Sequence, residues 1–85
     1  MASFDARLRV VGQTGLPLGV EIDLTTQRMT VAAEGKPIAN WNLDDIRIAP
    51  TPSGFRIDAE GEAVIIAVND DERFRIEIGP RLVEL

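Results

Sequence analysis

Apolar and polar residues alternate with a period of two along most of this chain, and turn-forming residues break the alternation at short intervals. Successive side chains of an extended chain point to opposite faces, so this pattern is that of half-buried β-strands. An amphipathic helix would instead place apolar residues every three or four positions. The sequence therefore predicts a run of short antiparallel strands joined by tight turns.

Leu8 and Val10 alternate with Arg7 and Arg9 in the first strand. After the glycine-bearing turn Gly12-Gln13-Thr14-Gly15, the second alternates Val20, Ile22 and Leu24 with Glu21 and Asp23. Residues 25–28 form a polar turn, and Met29, Val31 and Ala33 then share one face of a third strand. Glu34-Gly35-Lys36-Pro37 turns the chain again. A fourth strand over residues 38–43 points Ala39, Trp41 and Leu43 inward and Asn40 and Asn42 to the wetter side, until Asp44 and Asp45 interrupt it.

Ile46 and Ile48 flank Arg47 in a fifth strand. The stretch Ala49-Pro50-Thr51-Pro52-Ser53-Gly54 reads as a hairpin loop, because two prolines cannot both donate to a ladder. Phe55 and Ile57 alternate with Arg56 and Asp58 in the sixth strand, and Glu60-Gly61-Glu62 turns the chain. Residues 63–68 are apolar on both faces, which predicts a seventh strand that is central in the sheet or covered by the tail.

The tail admits two readings. Phe74, Ile78 and Leu82 recur every four residues, as on one helix face, whereas Phe74, Ile76 and Ile78 also alternate as in a strand. Asn69-Asp70-Asp71-Glu72 has the side chains of a capping box, with Asn69 placed to accept from the Glu72 amide, and its acids suit a first helical turn. That favours a short helix over residues 70–78, ended by Gly79-Pro80. The last residues, Val83-Glu84-Leu85, read either as a helix docked on the strands or as the cut end of a longer protein.

Eighty-five residues make one domain with one core, spanning 1–85. There is no cysteine to staple it, as small secreted domains usually require, so a soluble cytoplasmic protein is expected. The first residues, Met-Ala-Ser-Phe-Asp-Ala-Arg, lack the basic start and apolar run of a signal peptide. A net charge of −5 opposes nucleic acid and anionic membranes unless the basic residues gather on one face, and along the chain they look dispersed.

Histidine and cysteine are both absent, which removes the commonest general base, metal ligand and nucleophile systems, and argues against an enzyme. The acidic runs lack the spacing of a calcium loop, and the glycine-bearing turns lack the lysine and hydroxyl of a phosphate loop. No metal or cofactor is expected. Arg47 and Arg56 stand on the outward faces of two strands joined by one hairpin, where they pair with Asp45 or Asp58 or receive a carboxylate or phosphate. Trp41, the single tryptophan, reads as core or as a binding anchor. Arg47, Arg56 and Trp41 are the candidate binding residues.

Seven antiparallel strands followed by a helix, with Ile38-Ala39-Asn40-Trp41-Asn42-Leu43-Asp44-Asp45-Ile46 and Gly54-Phe55-Arg56-Ile57 as its middle strands, resembles the compact bacterial PH-like (pleckstrin-homology-like) domains. The resemblance implies a roll or small barrel of two bent sheets with the helix plugging one end. The lipid-binding members use basic residues around the first hairpin loop, and residues 12–19 here hold none, so phosphoinositide or membrane binding is not expected. What the resemblance implies instead is a protein partner, a second copy of the chain included. The expected function is a non-catalytic protein-interaction module, acting through a strand edge or the groove beside the helix. The alternative is a small-ligand-binding domain or the regulatory subunit of an enzyme.

Overall fold

The computed structural model describes residues 2–13 and 15–82. The alternating segments become seven antiparallel strands: β1 (Ala2–Val10), β2 (Leu18–Leu24), β3 (Arg28–Ala33), β4 (Lys36–Asn42), β5 (Arg47–Thr51), β6 (Gly54–Ala59) and β7 (Glu62–Val68). A helix, α1 (Asp71–Ile78), follows. One 3-10 turn, Leu43–Asp45, joins β4 to β5, and another, Gly79–Arg81, follows α1.

The strands form one continuous sheet in the order β4-β3-β2-β1-β7-β6-β5, curled into a half-barrel. Its two edges, β4 and β5, are consecutive in the chain. The register carries the alternation across the sheet: Phe4 lies opposite Ile22, Ala6 lies opposite both Val20 and Val68, and Ile57 lies opposite both Val64 and Ile48. One face thus becomes wholly apolar, and no polar or charged residue is buried among the described residues.

α1 closes over this inner face. Phe74 and Ile78, four positions apart, are buried, and Phe74 meets Phe4 edge-on with ring centres 5.1 Å apart and Phe55 at 4.9 Å. All three phenylalanines of the chain are therefore in one cluster. Aromatic pairs of this kind contribute about 0.5–1.5 kcal/mol each beyond their buried area. Eight residues of helix would not persist alone in water, so docking of this apolar stripe holds α1. The helix reading of residues 70–78 is the one realised, and Ile76, which only a strand would have turned inward, is exposed.

Several details differ from the sequence reading. β1 begins at Ala2, and Phe4 and Ala6 are core residues that a small alanine and an aspartate between them had masked. β5 runs through Pro50 to Thr51, leaving a two-residue turn, Pro52-Ser53, in place of the longer loop. A proline is tolerated there because β5 is an edge strand, where a residue without an N–H can face away from the ladder. The helix cap is Asp70, whose Oδ1 accepts from the Arg73 amide at 3.3 Å. Asn69 is still bound to the sheet, its amide donating to the Asp5 carbonyl at 2.9 Å, so the helix starts one residue later.

β7 is an interior strand, but it is covered on one side only: Val64, Ile66 and Val68 are buried, whereas Ala63 and Ile65 are half-buried and Ala67 is exposed. No described helix is long and apolar enough to cross a membrane. The reading of Val83-Glu84-Leu85 lies outside the described residues.

Candidate functional site

The β5–β6 hairpin sets Arg47 opposite Asp58 and Ala49 opposite Arg56, which makes the two arginines diagonal neighbours on the outer face. Its turn is fixed by Gly54, whose φ of +146° suits glycine alone and where a Cβ would run into the Ile66 carbonyl oxygen of the next strand. Asp58 lies between the two arginines and takes one of them: Arg56 Nε is 3.1 Å from Asp58 Oδ1. Both side chains are about 40% exposed, so the pair adds under about 1 kcal/mol of stability and chiefly orients Arg56.

Arg47 and Arg56 line an open hollow of about 470 Å³, together with Asp45, Asp58, Glu60 and Glu62. Carboxylates outnumber guanidinium groups on its walls. An anion entering it would compete with Asp58 for Arg56 and meet three further acids, so the hollow suits a mixed or basic contact better than a phosphate.

Trp41 lies on β4, opposite the fully buried Met29. It is half-buried, packing against the core on one side and lining a second hollow on the other, with Arg28, Asn40, Asn42, Asp45, Ile46 and Glu60. The two hollows share Asp45 and Glu60, so Trp41 and the arginine pair are adjacent without lining one pocket. Arg28 is oriented here by a 2.8 Å bond from its Nε to Asn40 Oδ1. The single tryptophan is thus core and surface at once, because its strand is at an edge.

The acidic runs are engaged locally. Asp44 Oδ1 accepts from Arg81 Nη1 at 2.6 Å, and Asn42 Oδ1 caps the 3-10 turn by accepting from the Asp44 amide at 2.9 Å. Asp71 and Asp70 pair with Arg75 and Arg73 at 3.4 and 3.6 Å.

Alternation could not reveal which strands are edges. The outer side of β5 is already engaged, since Leu82 bridges Ile48 in parallel. β4 pairs only with β3 among the described residues. Pro37 and a register shift that leaves Ile38 bulged, between Ala39 opposite Val31 and Pro37 opposite Ala32, disrupt the start of that edge, so residues 39–42 are its regular part, paired with β3 on one side and without a strand on the other, and they run up to the Trp41 hollow. Pro37 is the one sequence signal that pointed to an edge there. No family model matches the chain, and no curated protein matches it.

Proposed function

We propose that this chain is a non-catalytic, cytoplasmic protein-interaction module of the PH-like kind, which takes an extended segment of a partner protein along β4. The carrying observation is the free edge over residues 39–42, beyond the bulge at Ile38, that ends at the hollow lined by half-buried Trp41 and by Ile46. Added strands gain affinity from main-chain hydrogen bonds and selectivity from pockets for alternate side chains. The edge supplies the first and the Trp41 hollow the second. Asp45 and Glu60 on the hollow's rim favour a partner segment with a basic side chain beside an apolar one.

What supports the PH-like reading is the element order alone, seven antiparallel strands followed by a helix; the strands form one continuous sheet and not the two bent sheets that the resemblance implies. The first hairpin loop, without a basic residue, favours a protein ligand over a phosphoinositide.

The test is selection from a displayed library of random unstructured peptides. Bound peptides are expected to shift the emission of Trp41, the only tryptophan, to slow amide exchange over residues 39–42, and to bind the Ile38→Lys variant more weakly. Binders that protect a different strand, or that leave Trp41 emission unchanged, overturn the β4 reading.

A further inference from the structure

The direction of each backbone group at the β4 edge follows from two hydrogen bonds just outside the strands. The Leu43 amide donates to the Gln27 carbonyl at 2.7 Å, one step beyond the opposed residues Arg28 and Asn42. Bonded and non-bonded pairs alternate along an antiparallel ladder, so Met29 with Trp41 and Val31 with Ala39 are the bonded pairs of β3 and β4. The β2 side agrees. There the Thr25 amide donates to the Arg28 carbonyl at 2.9 Å, which makes Asp23 with Thr30 a bonded pair and leaves Met29 and Val31 to serve β4. Ala39 and Trp41 therefore direct their N–H and C=O groups to β3, and those of Asn40 and Asn42 point out from the open edge.

This outward stretch is short. The bulge at Ile38 interrupts it on one side, and the 3-10 turn that starts at Leu43 ends it on the other. Its core is Asn40-Trp41-Asn42, in which the same residue, with outward backbone groups, stands on either side of the one tryptophan. Such a stretch reads the same in both directions, so an antiparallel copy of itself complements it.

We propose, on the basis of the β4 reading above, that the segment this edge takes is β4 of a second copy of the chain. A two-fold axis perpendicular to the sheet passes between the two Trp41 residues. Asn40 then lies opposite the partner's Asn42, and Asn42 opposite the partner's Asn40, two bonded pairs that use every outward group of the stretch. Trp41 meets the partner's Trp41 in a non-bonded pair, the kind with Cα atoms about 4.5 Å apart and side chains closest. The axis keeps each face of the sheet on its own side, so the two half-buried indoles come together on one face and cover each other. The other two-fold registers fail. Centring on Asn40 sets Asn42 against the bulge at Ile38, and centring on Asn42 sets Trp41 against Leu43 in the 3-10 turn.

Charge favours the same pairing. Arg28, whose Nε bonds Asn40 Oδ1, is carried towards the partner's Asn42 and the turn that follows it, which holds the partner's Asp45. Among the described residues neither Arg28 nor Asp45 is in an ion pair within the protomer. The contact is smaller than the about 800 Å² per partner of a standard interface, so the dimer is expected to exchange with monomer.

The chain has no cysteine, so single cysteines report the register without background. Asn40→Cys and Asn42→Cys are mixed in equal amounts at high micromolar protein and oxidised, in physiological salt to screen the net charge of −5 on each copy. The mixture is expected to give a disulfide-linked heterodimer. Either variant alone is expected to give about tenfold less homodimer, because its two cysteines are offset by two positions along the strands, beyond the about 7 Å between Cα atoms that a disulfide spans. Sedimentation velocity of the wild-type chain is expected to show monomer in equilibrium with dimer. A wholly monomeric wild-type chain, a mixture that does not crosslink, or equal crosslinking of mixture and single variants overturns the proposal. If the wild-type chain is monomeric while selected peptides still protect residues 39–42, self-pairing falls and the β4 reading stands.

Discussion

Arg81 places its Nη1 2.6 Å from Asp44 Oδ1 and so ties the turn after α1 to the turn between the two edge strands. Its other terminal nitrogen donates to the Thr26 carbonyl at 3.2 Å, which adds the β2–β3 turn to the same junction. Arg81→Ala is expected to lower global stability by less than about 1 kcal/mol, because both side chains of the pair retain solvent exposure. Its larger effect is local. Exchange of the Leu82 amide, which donates to the Gly79 carbonyl, should accelerate, and Asp44→Ala should produce part of the same change. A double-mutant cycle measured by amide exchange separates the Asp44 contact from the Thr26 contact.

Phe74 is completely buried against Phe4 and Phe55. Phe74→Ala should cost about 3–5 kcal/mol, the range for emptying a large aromatic site. A domain of this size has a total stability of the same order, at the low end of about 5–15 kcal/mol. Urea titration followed by circular dichroism should therefore show a chain largely unfolded at ambient temperature. Ile76→Ala, on the exposed side of the same helix, should change stability by less than about 0.5 kcal/mol.

Gly54 combines a left-handed φ with close approach to the backbone of β7. Gly54→Ala should exceed the about 1–3 kcal/mol of backbone strain alone, because relief of the clash requires the Ile66 peptide to move. Gly61→Ala, at another positive φ but with open space around it, should cost only the strain. The difference between the two urea midpoints measures the clash.

Asp70 and Asn69 are unequal as helix caps. Asp70→Ala should destabilise by about 1 kcal/mol through loss of the bond to the Arg73 amide. Asn69→Ala should cost less, since the hydrogen bond of Asn69 to Asp5 is made by its backbone amide. Thermal melts of the two variants check the order.

The class of fold was legible because side-chain alternation is a local property, and Val20, Ile22 and Leu24 show their face without reference to any other strand. Edge position is not local. Pro50 looked like a loop residue because nothing near it in sequence says that β5 has one neighbour only. Residues 63–68 looked covered on both sides, yet the covering of Ile65 depends on what lies over the sheet. For the candidate site, the hairpin was enough to bring Arg47 and Arg56 together. The position of Trp41 in the adjoining hollow depends on the 3-10 turn at Leu43–Asp45, which brings Asp45 and Ile46 round to the hollow that Asn40, Trp41 and Asn42 of β4 line.

Every ladder in the sheet but one joins strands that follow each other in the chain; the exception is β1 with β7, where Ala6 meets Val68. Five hairpins or short links can assemble from nearby segments, but this one pairing joins residues from Val10 and Val64 to Ala6 and Val68, and so must close well over half of the polypeptide into a loop before it is rewarded. Loop closure of that length is slow and entropically costly, so it sets the rate at which the chain reaches its native state. Residues such as Leu8 and Ile66, which face each other across that seam, are where substitutions should slow refolding.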